Sequence, residues 1–228
     1  KIILKKVDGV IIKFKYDGNF FDELNTVGLM PIPPYIRKIR DSDNKDYDDY
    51  QSIFSEISGS IAAPTASLHF DNFLLDNLIK KNIKFCFVTL HVGLGTFNPI
   101  RTKNILNHRM HSEYGEISQE TSDIINNTLQ NGGRIIPVGT TSLRILETAN
   151  KIQNKIKPFK GNTDIFISPG YKFKFTSGLI TNFHLPKSSL FILVSSLVGI
   201  QNAKNIYSYA IKNNYRFFSY GDGSLLIK

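Results

Sequence analysis

Five histidines, at positions 69, 91, 108, 111 and 184, each fall in a segment rich in Gly, Thr or aromatic residues. Imidazoles change charge near neutral pH, so this gathering points to proton transfer. His91 closes the run Phe85-Cys86-Phe87-Val88-Thr89-Leu90-His91, and period-two geometry sets Phe85, Phe87, Thr89 and His91 on one face of a strand. Gly93-Leu94-Gly95-Thr96-Phe97 follows. The crevice beyond strand C-termini is the usual ligand position in open α/β sheets, and two glycines let a backbone approach that ligand closely. A structural histidine beside a glycine turn produces the same pattern, so spacing alone leaves both readings open.

Three further groupings have chemical potential. Arg134-Ile135-Ile136-Pro137-Val138 leads into Gly139-Thr140-Thr141-Ser142 and the start of a helix. Free N–H groups and hydroxyls there suit a carboxylate or phosphate, or simply cap the helix. Arg144 and Glu147 lie three apart on that helix and share a face, where they meet a ligand or each other. His108-Arg109-Met110-His111-Ser112-Glu113-Tyr114 holds two imidazoles and a carboxylate, a metal-site spacing if helical, but no further ligand set accompanies it. Asn182-Phe183-His184-Leu185-Pro186 and Tyr215-Arg216-Phe217-Phe218-Ser219-Tyr220-Gly221-Asp222 mix aromatics with His, Arg and Asp, as stacking and edge recognition of an unpaired base require. A hydrophobic core uses the same aromatics.

The elements that must position these groups alternate. Asp71 to Lys81 reads as helix, Phe85 to Val92 as strand, Ser118 to Gln130 as helix and Arg134 to Val138 as strand. Thr141 to Lys151 reads as helix, Asp164 to Ile167 and Lys172 to Asn182 as strand, and Ser188 to Gly199 and Asn202 to Lys212 as helices before a strand pair around Phe217 and Leu225. The prediction is a mixed α/β (α+β) fold, a large mixed sheet with flanking helices. Ahead of it, Ile2 to Val7 and Val10 to Tyr16 are β-type runs joined by Asp8-Gly9, a hairpin signal, followed by a short helix from Phe20 to Val27 stopped at Gly28. Pro restricts itself and its predecessor, so Met30 to Tyr35 is expected extended, and Asp41 to Tyr50 is an acidic surface loop. Residues 1–28 are thus expected to be the remnant of a smaller β-rich, barrel-like domain, and 29–228 the α/β catalytic domain.

Bulk properties bound the rest. With 228 residues and 41% hydrophobic content, the chain can bury a sizeable core. A formal charge of +9, from 28 Lys and Arg against 19 Asp and Glu, favours a polyanionic partner, nucleic acid first. Biased residue usage that scatters lysines over solvated faces gives the same total. Cys86 is the single cysteine, which excludes a disulfide framework and a thiolate metal site and fits a cytoplasmic protein. The longest apolar stretch, Leu190 to Ile200, is broken by Ser195, Ser196 and Gly199, so it reads as a buried helix and no membrane association is expected.

The groupings, taken in order, resemble one family. Ala62-Ala63-Pro64-Thr65-Ala66-Ser67-Leu68-His69-Phe70, Val88 to Phe97, Met110 to Tyr114, Val138 to Leu146 with Glu147, Thr181 to Pro186 and Tyr215 to Asp222 are similar to the signatures of the S-adenosylmethionine:tRNA ribosyltransferase-isomerases of queuosine biosynthesis. Pro31-Ile32-Pro33-Pro34-Tyr35-Ile36 resembles that family's Leu-Pro-Leu-Pro-Pro-Tyr-Ile element. Departures are Ser67 for the usual Gly, Leu94 for Ala, and Gly223-Ser224 for Ala-Met. Family members also carry a preceding segment containing Asn-Asn-Thr-Arg-Val that this sequence lacks, so the chain is expected to be N-terminally incomplete and its reaction impaired without that segment. The hairpin at its start is expected to be mobile and to promote self-association.

The resemblance implies transfer and isomerisation of the ribosyl part of S-adenosylmethionine onto 7-aminomethyl-7-deazaguanine at the wobble position of a tRNA with a GUN anticodon. Adenine and methionine leave and epoxyqueuosine forms. It implies no metal and no cofactor, S-adenosylmethionine being consumed. Catalytic candidates are His91, His184, His111 and Glu113, with His91 or His184 favoured for proton transfer. Thr140, Thr141 and Arg144 are candidates for the methionine carboxylate or a phosphate, and Phe183, Phe217 and Tyr220 for stacking. Glu113 and Asp222 are assigned to the adenine, the amine or the sulfonium, and Thr96, Phe97, Glu147 and Arg216 complete the substrate-binding set. Competing readings are a non-catalytic RNA-binding remnant and a metal-dependent hydrolase built on His108, His111 and Glu113.

Overall fold

Side-chain caps and glycines set most helix boundaries in this chain. A computed structural model describes residues 1–6, 9–93, 105, 108, 110–149 and 155–228. They form two compact units, Lys1–Tyr47 and Asp48–Lys228.

In the first unit, β1 (Ile2–Lys6) and β2 (Gly9–Ile12) pair antiparallel, with Ile2 opposite Ile12 and Lys6 opposite Gly9. Asp8 of the predicted turn lies outside the described residues. Ile2, Ile3, Leu4, Val10, Ile11 and Ile12 are all exposed, so apolar side chains lie open on both faces of the hairpin. Helix α1 (Phe20–Val27) begins where the Phe21 N–H donates to Asn19 Oδ1 and ends where the Gly28 N–H donates to the Leu24 carbonyl. The proline-rich stretch is not extended throughout, because α2 (Pro34–Arg37) is a single helical turn. Proline suits a first helical position, where its missing N–H would be an orphan in any case. The acidic loop also folds locally: α3 (Asp46–Asp49) starts at a carboxylate only 1% exposed, which accepts the Arg40 guanidinium fork at 2.8 and 2.7 Å.

The second unit opens with a 3-10 turn, Thr65–His69. Helix α4 (Asn72–Lys80) is capped by Asp71, and β3 (Thr89–His91) precedes β4 (Glu113–Ile117). Helix α5 (Gln119–Gln130) is capped by Ser118; α6 (Thr140–Thr148), β5 (Phe159–Thr163) and β6 (Gly178–Asn182) follow. Helix α7 (Ser189–Val198), capped by Ser188, then α8 (Ile200–Lys212) and β7 (Gly223–Ile227) complete it.

The fold is mixed α/β, and its β structure is divided. Strands β3-β4-β5 form one antiparallel sheet and β6-β7 another, while single parallel bridges, Ile135 to Thr176 and Val138 to Ile180, run beside β6. The expected strand from Phe85 to Val92 pairs only over Thr89–His91. Asp164 to Ile167 forms no named strand, and around Phe217 the chain makes a hydrogen-bonded loop instead. Strands β4 and β5 escape the sequence reading because Glu113-Tyr114-Gly115-Glu116-Ile117 and Phe159-Lys160-Gly161-Asn162-Thr163 are poor in β-branched residues. Gly115 has a packing reason: a Cβ there would lie 2.3 Å from Ile145 Cδ1.

Two apolar clusters form the core, and α6 joins them. Leu143 packs with Leu179, Leu193, Val194 and Leu226, whereas Ile145 and Leu146 pack with Ile117, Ile125 and Phe175. Helix α6 is therefore buried on more than one side, and its polar residues must find partners inside the protein.

Candidate functional site

Two ionised groups of α6 find theirs in full. Arg144, 3% exposed, forms a short ion pair with Glu113 on β4, itself 2% exposed. The guanidinium also donates to the carbonyls of Ile165 at 3.1 Å, His111 at 3.3 Å and Thr163 at 3.2 Å. Burial pulls Arg144 down from its ordinary range, and the charges of Glu113 and Asp164 oppose that. Glu113 accepts in addition from the Thr141 hydroxyl at 3.3 Å. Glu147 turns instead to the chain ahead of β6, accepting from the N–H groups of Lys174, Phe175 and Thr176 and the hydroxyls of Thr176 and Tyr171 at 2.9–3.3 Å. Burial, with this carboxylate beside it, pushes the Tyr171 phenol well up.

The N-terminus of α6 lies where several of the sequence groupings meet. Gly139 precedes it with φ +93°, and its N–H donates to the Ile180 carbonyl on β6 at 2.8 Å. A Cβ on Gly139 would stand 3.9 Å from Ala66 Cβ in the 3-10 turn. Thr140 and Thr141 are buried beside it, and Gly139 itself supplies no side-chain cap.

One asparagine organises the end of β6. Asn182, 3% exposed, accepts from the Thr65 hydroxyl at 3.1 Å and donates through Nδ2 to the Gly221 carbonyl at 3.3 Å. A carbonyl only accepts, so these partners fix the amide orientation. The same Nδ2 lies 3.1 Å from Nε2 of His69, which makes Nε2 the acceptor and assigns the ring hydrogen to Nδ1. His69 is exposed. A Cβ on Gly223 would come within 3.0 Å of this ring, so the Ala usual in the resembled family would press on it.

The loop before β7 is held by its own groups. The Arg216 N–H and guanidinium both donate to the Asp222 carboxylate, at 2.7 and 2.8 Å, and the Asp222 N–H returns to the Arg216 carbonyl. Arg216 holds the Asp222 carboxyl below its usual range. Gly221 is required, because a Cβ there would lie 2.4 Å from the backbone carbon of Phe217. Phe217 packs on the buried Phe183 ring at 5.2 Å, and Tyr220 on Tyr50 at 5.6 Å. His184, just beyond β6, has Nε2 2.9 Å from the Thr181 hydroxyl, while its N–H donates to the Tyr207 hydroxyl. Part of the residue's surface remains open, yet desolvation pulls its imidazole to about 4 and pushes the Tyr207 phenol to about 12.

His91 occupies a different face. It stands opposite Tyr114 across β3 and β4, and the two rings stack at 5.6 Å. Its Nδ1 is buried without a hydrogen-bond partner among the described residues, under the backbone of Gly59, where a Cβ would lie 2.8 Å away. Strand alternation puts Tyr114 and Glu116 opposite the buried Glu113 side. Tyr114 makes a short hydrogen bond to Glu116, which also pairs with Lys160 at 3.0 Å. The hydroxyl and the ammonium hold Glu116 below its usual range, and the carboxylate raises both of them.

His108 packs edge-on against Phe166, and its imidazole is lowered by burial and by the charge of His111. His111 is exposed and contributes its carbonyl to Arg144, while the Glu113 carboxylate faces Arg144. Among the described residues no cluster of three or more His, Cys, Asp or Glu is arranged to hold a metal. Thr96 and Phe97 lie outside the described residues. Sequence reasoning gives no specific role to Thr65, His69, Asn182, Glu116 or Lys160, although His69 is one of the five histidines that point to proton transfer. Their signal was position, since the first three sit inside the segments singled out, whereas Glu116 and Lys160 come together only through strand register.

The comparisons with known proteins agree. Residues 1–226 match the family described as queuosine biosynthesis protein. The S-adenosylmethionine:tRNA ribosyltransferase-isomerase of Roseobacter denitrificans is 50% identical over 95% of this chain and 62% of its own length. That of Zymomonas mobilis is 50% identical over 100% of the chain and 67% of its own. The crystal structure of S-adenosylmethionine tRNA ribosyltransferase from Thermotoga maritima superposes with a TM-score of 0.60 at 37% identity, covering 72% of this chain and 51% of that one. The chain thus spans about 62% of the length of the first curated relatives it matches. With a family match over nearly every residue and half of the aligned positions identical, the chain belongs to the queuosine biosynthesis protein family.

Proposed function

We propose that this chain carries catalytic machinery for moving and isomerising the ribosyl group of S-adenosylmethionine onto 7-aminomethyl-7-deazaguanine at the wobble position of a GUN-anticodon tRNA in the cytoplasm. Adenine and methionine would leave and epoxyqueuosine would form. One observation carries the reading: segments spread from Thr65 to Asp222 converge, through Asn182, Gly139 and Glu113, around β6 and the N-terminus of α6. Convergence of distant segments rich in imidazole, hydroxyl and amide groups is what a multistep proton-transfer site requires.

The chemistry suits these groups. The sulfonium acidifies the neighbouring 5′ carbon, so a neutral imidazole can take that proton and trigger ribose opening with loss of adenine. His184, held near 4, is neutral at pH 7, and that low value makes it a weak base. His91, whose Nδ1 has no partner among the described residues, is the other candidate base, whereas His69, its Nε2 lone pair taken by the Asn182 amide, is left with Nδ1–H as a hydrogen-bond donor. A second group must deprotonate the aminomethyl substituent before it attacks. The wobble base sits in a single-stranded loop, so extruding it costs less than extraction from a duplex. No metal or cofactor enters this scheme.

The test is adenine release from S-adenosylmethionine in the presence of tRNA bearing the aminomethyl base, with the chain alone and with the relatives' N-terminal segment joined to it. Release that depends on the modified tRNA is expected in at least the joined form. Release in neither would overturn the reading, and calorimetric binding of S-adenosylmethionine without release would favour a non-catalytic RNA-binding role.

A further inference from the structure

The charge of the chain is unevenly placed. From Ile165 to Gly221 there are six cations, Lys172, Lys174, Lys187, Lys204, Lys212 and Arg216, and no Asp or Glu. This stretch contains α7, α8 and most of the loop held by Asp222. Burial accounts for this in β6 and α7, but the exposed positions of α8 and the Tyr215 segment also carry cations and no carboxylate, as a surface that meets phosphates requires.

A cavity of about 560 Å³ opens on that surface between α8, the Tyr215 segment and the start of β7. Phe183, Tyr209 and Tyr215 supply aromatic rings to it, and Asn205 and Ser224 supply polar edges. Tyr209 is 63% and Tyr215 43% exposed, and their rings stand 6.4 Å apart at 55°, an open wedge. Phe183 lies beneath, with its ring 5.8 Å from that of Tyr215. Gln201 donates to the Asn205 Oδ1 at 3.0 Å, and Asn205 keeps its Nδ2 as a donor. Exposed tyrosines beside an amide, with no carboxylate among the lining residues and Lys212 three residues after Tyr209 on the helix, match the chemistry of an unpaired nucleobase with its phosphate. The catalytic candidates His69, His91 and His184 are not among the residues that line it.

We infer that this wedge is a second base-binding position: it stacks one unpaired base of a single-stranded RNA loop on Tyr209 and Tyr215 while Lys212, three residues after Tyr209 on the same side of α8, neutralises an adjacent phosphate. It rests on the proposed RNA partner and adds a stacking position that borders the candidate site, since Gly223, which lines it, also lies against His69. The ligand class is single-stranded RNA of relaxed sequence, because stacking uses the π-face that every base has.

The experiment measures binding of a hairpin RNA whose loop carries 2-aminopurine, with a fully paired duplex of equal length as control. The wild-type chain is expected to quench the loop fluorophore and to prefer the hairpin. Tyr209→Ala and Tyr215→Ala are each expected to weaken hairpin binding about 10-fold or more and to abolish quenching. Tyr209→Phe and Tyr215→Phe should stay within about twofold, since the ring is kept. Lys212→Ala should weaken hairpin and duplex alike and reduce the salt dependence by about one phosphate contact. Tyr209 projects from a helix surface, so its variant remains informative if Tyr215→Ala perturbs folding. Wild-type affinity with full quenching in both alanine variants would overturn the inference and leave the RNA reading standing. Equal affinity for duplex and hairpin would overturn it too. Failure of the wild-type chain to bind any RNA would remove both.

Discussion

Helix α6 and the Asn182 hub hold the same kinds of side chain and use them differently. Around α6, Arg144, Glu113 and Glu147 are almost wholly buried, with their bonding capacity directed to one another, to carbonyls and to the chain before β6. At the hub the buried member is an amide, and what it holds is an exposed imidazole with the ring hydrogen on Nδ1. Charges inside a dry core are costly unless matched, so the α6 groups serve first to join two core clusters. A group that must bond a ligand has to keep one face toward solvent, as His69 does with Nδ1–H still to donate.

This contrast breaks most sharply at the ion pair. Arg144→Met leaves the buried Glu113 carboxylate without its guanidinium and is expected to cost ~3–5 kcal/mol, whereas the double change with Glu113→Leu recovers much of that. Urea unfolding of the single and double variants measures it. A single variant as stable as wild type would mean that the pair is not buried as described.

Glu147→Leu comes next, at about 3–4 kcal/mol, because three backbone N–H groups and two hydroxyls lose their acceptor together. Its signature is faster amide exchange at Lys174, Phe175 and Thr176. Exchange unchanged there would break the link between α6 and β6.

His184 sharpens the comparison from the pH side. Its folded value, about 4, lies below its ordinary 6.5, so between these pH values the unfolded chain binds a proton that the folded chain refuses. The stability from its neutral burial is fully present above about pH 6.5, declines as pH falls and levels off below about 4. The loss is at most ~3 kcal/mol, and less to the extent that its open surface screens the charge. His184→Asn should flatten this part of the stability–pH curve.

The smallest effect on stability is expected at His69, and there the consequence is functional. His69→Ala should stay within ~0.5 kcal/mol of wild type, as exposed positions do, while lowering tRNA-dependent adenine release about 100-fold. Asn182→Asp, which turns the fixed donor into an acceptor, should shift the pH profile of that release. An unchanged profile would show that Asn182 does not aim the ring.

Much of this was legible in the sequence because its cause is local. Asn19, Asp71, Ser118 and Ser188 cap helices by bonds to N–H groups two or three residues away, and Gly28 ends α1 through a bond four residues back. The order of elements and the segments that hold the site followed from the same short-range patterns and from the family resemblance. Strands β4 and β5 were not legible, since their residues favour no strand and are held by partners across the sheet. The partners of the chemical groups were equally hidden. Arg144 and Glu147 share a helix face, yet one turns to Glu113, 31 residues away, and the other to Thr176, 29 residues away. Asn182 reaches 113 residues back to His69. Side-chain type sets what a residue can bond and spacing sets which face it leaves from, but the choice of partner belongs to the tertiary packing, because burial makes every unpaired polar group costly and only the folded chain decides which groups are within reach.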